Sequence, residues 1–380
     1  MSKVLYFTRD YTPHDHRFLS ALAASPHEIF ALRLERRGQQ LEDRPLPPEV
    51  IRIPWEGGQQ PAGLRDYPRL LRGLKRILGE IQPDVIHAGP LQSAAFLAAM
   101  SGFQPLVSMS WGSDILVEAD SSPWMNWATR QTLRHSTLLA GDCQAVKRKA
   151  VQMGFPAERV VLFPWGVDLD RFHPAGEAQS AFRARQGWDA EEFVALSLRT
   201  WEPLYGVHEL VRGFAAAARE IPQLRLLLLG GGSQAAELRQ ILLSAGVMEQ
   251  VYFGGRFNQD DLPAMYQAAD LYVSASHSDG SSVSLMDALA SGLPVLISDI
   301  PGNLEWVTPG QEGWFFPTGD WRAIAQGIAQ AYRQRETLKA IGLSARRLAE
   351  KRADWKTNFA CLLTAYQQAQ DLTRSAKGGR

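Results

Sequence analysis

Two aspartates, Asp279 and Asp287, stand eight positions apart around a run of small residues, Gly280-Ser281-Ser282-Val283-Ser284. Asp279-Gly-Ser-Ser282 carries loop chemistry: small, polar and tolerant of unusual backbone angles. Ser284-Leu-Met-Asp287 has capping-box spacing, so a helix is expected to start near Ser282 to Ser284, with Gly292 and Pro294 ending it. A helix N-terminus behind such a loop presents backbone N–H groups and the positive end of the macrodipole, which suits a phosphate. Two carboxylates beside an anion site repel the anion unless they bind something else, and sugar hydroxyls donate hydrogen bonds that a carboxylate accepts strongly. A plainer reading stands beside this one: Asp287 only caps its helix and Asp279 is a turn residue.

The stretch Ser276–Glu305 resembles the signature of the family 4 nucleotide-sugar glycosyltransferases, which have the GT-B fold. The shared pattern is an acidic residue before Gly, seven intervening residues, a second acidic residue followed by Ala, then G-x-P-V. The family usually has Glu at both acidic positions, where this chain has Asp279 and Asp287. The resemblance implies a retaining, metal-independent transferase, with a nucleotide-diphosphate sugar (UDP- or GDP-linked) as co-substrate and no cofactor. It also implies a glycan, lipid-linked or small-molecule acceptor. Asp279 would hold the sugar hydroxyls, Asp287 the ribose, and the Ser281–Ser284 amides the phosphate.

Further residues fall at the family's landmarks. Leu196-Ser-Leu-Arg199-Thr-Trp-Glu-Pro-Leu-Tyr205-Gly206 resembles the Arg…Lys-Gly pair whose cations grip the donor diphosphate; Arg199 matches, and Tyr205 stands at the lysine position. A phenol donates one neutral hydrogen bond where an ammonium donates charge-assisted ones. Arg256 is the candidate for the missing charge or for the base pocket, with simple surface exposure as its alternative. Gly230-Gly231-Gly232 after an apolar run resembles the glycine loop below the nucleotide; alone it lacks G-x-G-x-x-G spacing. Where relatives show His-Gly-x-Asp, the chain has Trp111-Gly-Ser-Asp114. Trp111 either stacks on a sugar or fills core, and His87 or Asp114 is left to take the polar role at the reacting centre. The first strand is followed by Thr8 to Arg17, without the usual glycine pair; His14, His16 and Arg17 are either acceptor contacts or solvent-exposed loop residues. Asp168-Leu-Asp170 mimics a metal-binding D-x-D but lies in a linker, and no cluster has zinc spacing.

These residues need elements to hold them. Strand and helix patterns alternate twice along the chain, as in two doubly wound α/β domains in tandem. The expected division is 1–165 for the acceptor side and 166–353 for the nucleotide sugar, with helix 354–372 returning to the first domain as the resemblance implies. One continuous helix is expected over 320–349, and a frayed tail from Ser375. Lys+Arg and Asp+Glu both total 40, so no net field recruits nucleic acid or anionic membrane. Two cysteines give no disulfide framework, and neither a signal peptide nor a membrane span is evident, which fits a cytoplasmic location. Helix 64–81 is amphipathic and carries Arg65, Arg69, Arg72, Lys75 and Arg76; it reads as a solvent-facing helix, with weak contact to the inner membrane face as the sharper alternative. Two rivals remain: a degenerate GT-B protein that binds without transferring, and a GT-B nucleotide-sugar epimerase.

Overall fold

The computed structural model describes residues 1–36, 41–174, 181–255 and 257–378. Val4-Leu-Tyr-Phe7, apolar without alternation, forms the middle of β1 (Lys3–Arg9), and all four side chains are buried. Such strands suit a parallel sheet covered on both faces. β1 heads a seven-stranded sheet with β2 (Glu28–Leu34), β3 (Ile51–Arg52), β4 (Val85–Gly89), β5 (Leu106–Met109), β6 (Leu138–Gly141) and β7 (Val160–Leu162). The spatial order is β3-β2-β1-β4-β5-β6-β7, every pair parallel. A second sheet holds β8 (Phe193–Ser197), β9 (Leu224–Leu229), β10 (Val251–Gly255), β11 (Leu271–Ser274), β12 (Val295–Ser298) and β13 (Gly313–Phe316). Its order is β10-β9-β8-β11-β12-β13, again all parallel. Each sheet carries its connecting helices, so the chain is two Rossmann-like α/β domains. The compact units are Met1–Phe163 with Phe359–Arg380, and Pro164–Asn358.

In the first unit, Phe18 touches Phe359 of the last helix at 6.4 Å between ring centroids. His87 meets Tyr366 of the same helix. In the second unit a core of Phe193, Ala195, Leu226, Leu228, Leu271 and Val273 lies under the helices Val207–Ala218 and Trp321–Arg333.

Several boundaries differ from the sequence expectation. The segment after β1 is no long loop: Thr12 caps a helix over Pro13–Ala23, with Asp15 completing a capping box and Pro13 at the first position. His14, His16 and Arg17 therefore lie on its first turns. The expected helix over 320–349 is two helices, Trp321–Arg333 and Leu338–Arg352, parted by a 3₁₀ turn at Arg335–Thr337. The short strand β7 has only three residues, too few to show a pattern. The last helix spans Trp355–Gly378, past the point where fraying was expected. Among the described residues no helix is long and apolar enough to cross a membrane.

Candidate functional site

β8 and β11 are neighbours, yet the chain leaves β8 toward β9 and β10 on one side and continues from β11 toward β12 and β13 on the other. This is the sheet's switch point, and open α/β sheets bind ligands beyond the carboxyl ends of strands at such a point. Arg199 lies two residues past β8, and Asp279 five past β11. Fold and sequence therefore place both on one edge.

Arg199 is the hub. One terminal nitrogen pairs with Asp279 Oδ2 at 2.8 Å. The other donates to Ser282 Oγ at 3.0 Å and to Ser284 Oγ at 3.3 Å. The guanidinium carbon lies 4.4 Å from the Tyr205 ring centroid, a cation–π contact. Burial works against its charge, but Asp279 and the Tyr205, Tyr272 and Tyr266 phenols raise its pKa above the usual arginine value. Arg199, Tyr205, Asp279, Ser282 and Ser284 thus form one cluster.

The helix Val283–Ala290 starts with Ser282 as N-cap. Ser282 makes no side-chain capping bond; its Oγ accepts from Arg199 and lies 3.0 Å from Ser284 Oγ. Tyr272 OH meets Ser284 Oγ at 2.9 Å, and Tyr266 OH donates to the Ser284 carbonyl at 3.0 Å. Both phenols are buried and held above their ordinary pKa, Tyr266 by burial first and by the Asp287 charge second. Asp287, also buried, is the fifth helical residue, beyond reach of a capping box. The capping reading of Asp287 is thereby corrected: the cap lies two residues earlier than a Ser284–Asp287 box requires. Asp279 does act locally, since its Oδ1 accepts from the Gly280 N–H at 3.0 Å, while its other oxygen faces Arg199.

The loop Asp279–Ser282 is held from behind. Trp306 Nε1 donates to Ser281 Oγ at 2.9 Å, and a Cβ on Gly302 would lie 2.3 Å from the Gly280 carbonyl oxygen. Only glycine permits that approach.

The glycine loop is laced to the Arg199 loop. Trp201 N–H donates to the Gly231 carbonyl, and Gln234 N–H to that of Trp201. Glu202 accepts from Ser233 N–H at 2.8 Å and from Ser233 Oγ at 2.5 Å. Glu202 thus ties the Arg199 loop to Ser233, just ahead of the helix Ala235–Ala245. Gly231 is open: a Cβ there would meet nothing within 4 Å. Sequence reasoning missed Glu202 and Ser233, because their pairing exists only once the loops after β8 and β9 are side by side. It also missed His277, exposed just before Asp279 and 3.7 Å from Glu209. Arg256 lies outside the described residues.

The first-unit candidates have closed surroundings. His87 is wholly buried; its Nδ1 meets Tyr366 OH at 2.7 Å and its Nε2 lies 3.3 Å from the Met109 sulfur. Burial lowers its pKa to about 3. Asp114 is buried and accepts from Ser110 Oγ and from the N–H groups of Leu91, Trp111 and Ile115. Burial raises its carboxyl to about 6, against the pull of those hydrogen bonds. Both are hydrogen-bonded inside the unit, which fits a structural part for each. Trp111 packs against Phe18 and His14. Asp168 Oδ1 accepts from the Asp170 N–H, and Asp170 pairs with Lys356, so this D-x-D serves the linker. The first unit contains a cavity of about 850 Å³, with Tyr6, Tyr11, Arg33, Glu42, Arg44 and Trp55 in its walls.

Comparison with known proteins gives this geometry its context. A family described as "Glycosyl transferases group 1" matches residues 178–348, and "Glycosyltransferase Family 4" matches residues 14–171. The chain is similar to a GDP-mannose-dependent alpha-(1-6)-phosphatidylinositol monomannoside mannosyltransferase of Mycolicibacterium smegmatis, 25% identical over 78% of this chain and 79% of that one. It is 30% identical to a D-inositol 3-phosphate glycosyltransferase of Actinosynnema mirum over 61% of this chain and 57% of the relative. Among solved structures, Anabaena Alr3699/HepE in complex with UDP and glucose superposes with a TM-score of 0.78 at 22% identity, covering 99% of this chain and 100% of that one. The sucrose-phosphate synthase of Thermosynechococcus elongatus gives 0.77 at 18% identity, with full coverage of both chains. With one family match on each half and the GT-B fold throughout, the chain belongs to the family 4, group 1 glycosyltransferases.

Proposed function

We propose that this glycosyltransferase moves a sugar from a nucleotide-diphosphate sugar, UDP- or GDP-linked, to a hydroxyl of an acceptor, with retention of configuration. The observation that carries the reading is Arg199, held by Asp279, Ser282, Ser284 and Tyr205 at the start of the helix Val283–Ala290. A guanidinium and a helix N-terminus converge where a diphosphate would leave, and fixed positive groups at developing charge are the largest usual contribution to such catalysis. The second unit is the nucleotide-sugar side, with Asp287 toward the ribose and Asp279 toward the sugar; the first is the acceptor side. The acceptor oxygen attacks the anomeric carbon from the face the diphosphate leaves. The bond to the β-phosphate oxygen breaks, and that phosphate takes the hydroxyl proton. No protein nucleophile is needed, and positioning supplies the rest.

Named relatives use GDP-mannose or were solved with UDP and glucose, which supports these donor classes; their acceptors support a glycan, lipid-linked or small-molecule acceptor in glycoconjugate synthesis. Cys143 and Cys361 form no disulfide, which accords with a reducing cytoplasm. The arginines of helix 67–81 by themselves support no more than a solvated helix face.

The test is release of nucleoside diphosphate from a panel of UDP- and GDP-sugars, with and without acceptors, before and after EDTA treatment. Acceptor-dependent release that survives chelation, with the product anomer matching the donor's, is expected. Abolition by EDTA and rescue by magnesium or manganese would refute metal independence. Tight nucleotide binding with no release from any donor would make the chain a binding protein.

A further inference from the structure

The connections β1 to β2 and β2 to β3 step the same way across the first sheet, so right-handed crossovers lay both on one face. The first is the helix Pro13–Ala23. The second has no helix among the described residues of 35–50, where Pro45, Pro47 and Pro48 disfavour one. An irregular segment therefore covers the face where a second helix would pack, and beneath it lies the cavity of about 850 Å³.

The strand pattern widens this space. Phe30, Leu32 and Leu34 of β2 belong to the core on the opposite face, with Leu74 and Ile77 of the helix Tyr67–Ile81. Ala31 and Arg33 alternate with them and so point to the cavity side, one small and the other charged. Leu19, Val50 and Ile53 add apolar wall.

The polar wall is built of pairs. Glu42, buried, accepts from Arg44 Nε at 3.0 Å and from Nη2 at 2.7 Å, and Arg33 pairs with Glu35 at 3.1 Å. With Arg52 and Asp43 the wall holds three arginines and three carboxylates, so an anion finds no excess of cations there. A carboxylate beside a guanidinium offers an acceptor and a donor side by side, which the vicinal hydroxyls of a sugar can use together. Tyr11 adds a half-buried ring, on which an apolar sugar face can lie, and a hydroxyl 2.9 Å from His16 Nδ1.

Position sets the role. The chain runs from β1 to β2 and β3 on one side and from β4 to β5 and β6 on the other, so the switch point of this sheet lies between β1 and β4. The cavity lies over β2 and β3, one to two strand spacings away, about 5–10 Å. Its volume is in the range that encloses drug-sized molecules, more than one sugar ring needs.

We infer that this cavity is a distal acceptor subsite, which holds a neutral sugar residue one or two units away from the hydroxyl that reacts. The acceptor is then a neutral oligosaccharide, or carries one, and is not a lone small molecule. The inference rests on the transfer reaction proposed above and names the acceptor it uses.

Two measurements on the full chain keep the two apart. Calorimetry without donor uses maltotriose, mannotriose and chitotriose, the monosaccharide of each, and trigalacturonate as an acidic trimer. At least one neutral trimer should bind about tenfold or more tighter than its monosaccharide. Tyr11→Phe, Arg52→Ala and Glu42→Gln should each lower that affinity about fivefold and leave the monosaccharide's unchanged. Arg52 is exposed and Tyr11 half-buried, so those two variants keep the test open where Glu42→Gln fails to fold. Binding of no neutral trimer overturns the inference, as do equal affinities for trimer and monosaccharide, tighter binding of the acidic trimer, or indifference to the replacements. Release of nucleoside diphosphate is the second measurement. Trimer binding that the variants weaken, with no release from any donor, would refute the transfer reaction and leave the glycan site standing.

Discussion

Arg199 makes four contacts with residues the sequence had already singled out, and each contact ranks a substitution. Tyr205 presents its ring face to the guanidinium, so its part is to orient the cation, and its hydroxyl matters less. Arg199→Ala is expected to lower turnover about 10²–10³-fold, the range for losing one fixed donor at a developing oxyanion. Tyr205→Phe keeps the ring and should stay within a few-fold of wild type. Steady-state kinetics on both variants, at matched thermal midpoints, decide this; equal losses would move the phosphate contact to the Tyr205 hydroxyl. The two aspartates separate along the donor. Asp287→Asn should weaken binding of the free nucleoside diphosphate, because the amide no longer accepts from both ribose hydroxyls. Asp279→Asn should spare that binding and impair transfer from the intact donor. It also uncouples the pair with Arg199, so nucleoside diphosphate affinity has no reason to fall. Calorimetry beside turnover measures the split, and unchanged affinity in Asp287→Asn would remove that residue from the ribose site.

At the scale of elements, the site depends on loops that approach one another more closely than side chains allow. Gly206 begins the helix Val207–Ala218 at φ +59°, and a Cβ there would lie 2.0 Å from the Ala275 carbonyl oxygen. Gly206→Ala therefore combines left-handed strain with a backbone clash between the loops after β8 and β11. A loss of about 2 kcal/mol or more is expected from a strained backbone that also has to shift. Denaturant unfolding reads the loss, and nucleotide affinity should fall with it, because Tyr205 and Asp279 sit on the two loops being pushed apart. A stability change below about 0.5 kcal/mol, the range of an ordinary surface substitution, would mean that the loops can separate freely.

At the scale of the whole molecule, pH reports on the first unit through two buried groups. His87 is neutral in the fold with its pKa lowered to about 3 by burial. The unfolded chain takes up that proton near pH 6.5, so stability is fully present above 6.5 and is lost as pH falls toward 3. Between pH 6.5 and 5 this amounts to about 2 kcal/mol. Asp114 acts in the opposite sense: its carboxyl, raised to about 6 by burial, binds its proton more tightly when folded. Stability therefore rises by about 1 kcal/mol as pH falls from 6 to 5. The two partly cancel in the wild type, so the informative quantity is a difference. His87→Leu should be less stable at pH 7, where Tyr366 loses its partner, and should lose about 2 kcal/mol less on moving to pH 5. Hydrogen exchange of the β4 amides, corrected for intrinsic rate, measures this within the first unit; parallel pH profiles would show that His87 is not the titrating group.

The sequence by itself determined the alternation of buried strands and amphipathic helices, the family, and most of the phosphate-side cluster. Those features are local or carried by spacing: apolar runs bury on both faces of a parallel sheet, and a Gly/Ser loop before a helix makes an anion site whatever surrounds it. Arg199 and Asp279 are eighty positions apart in the chain, but each follows a strand, and strand ends are where such folds bind. What only the tertiary structure decided was the occupancy of each polar group. His87 and Asp114 carry the same residue types whether they face a substrate or a core, and packing around β4 and β5 turned them inward. Ser284-Leu-Met-Asp287 spells a cap, yet the helix begins at Val283 because Ser282 is drawn to Arg199 from another loop. Glu202 meets Ser233 of the glycine loop, and Trp124 and Trp127 pack on Phe96, because crossover topology sets distant segments side by side. Spacing along a chain records none of these neighbours, since each is created by the sheet order.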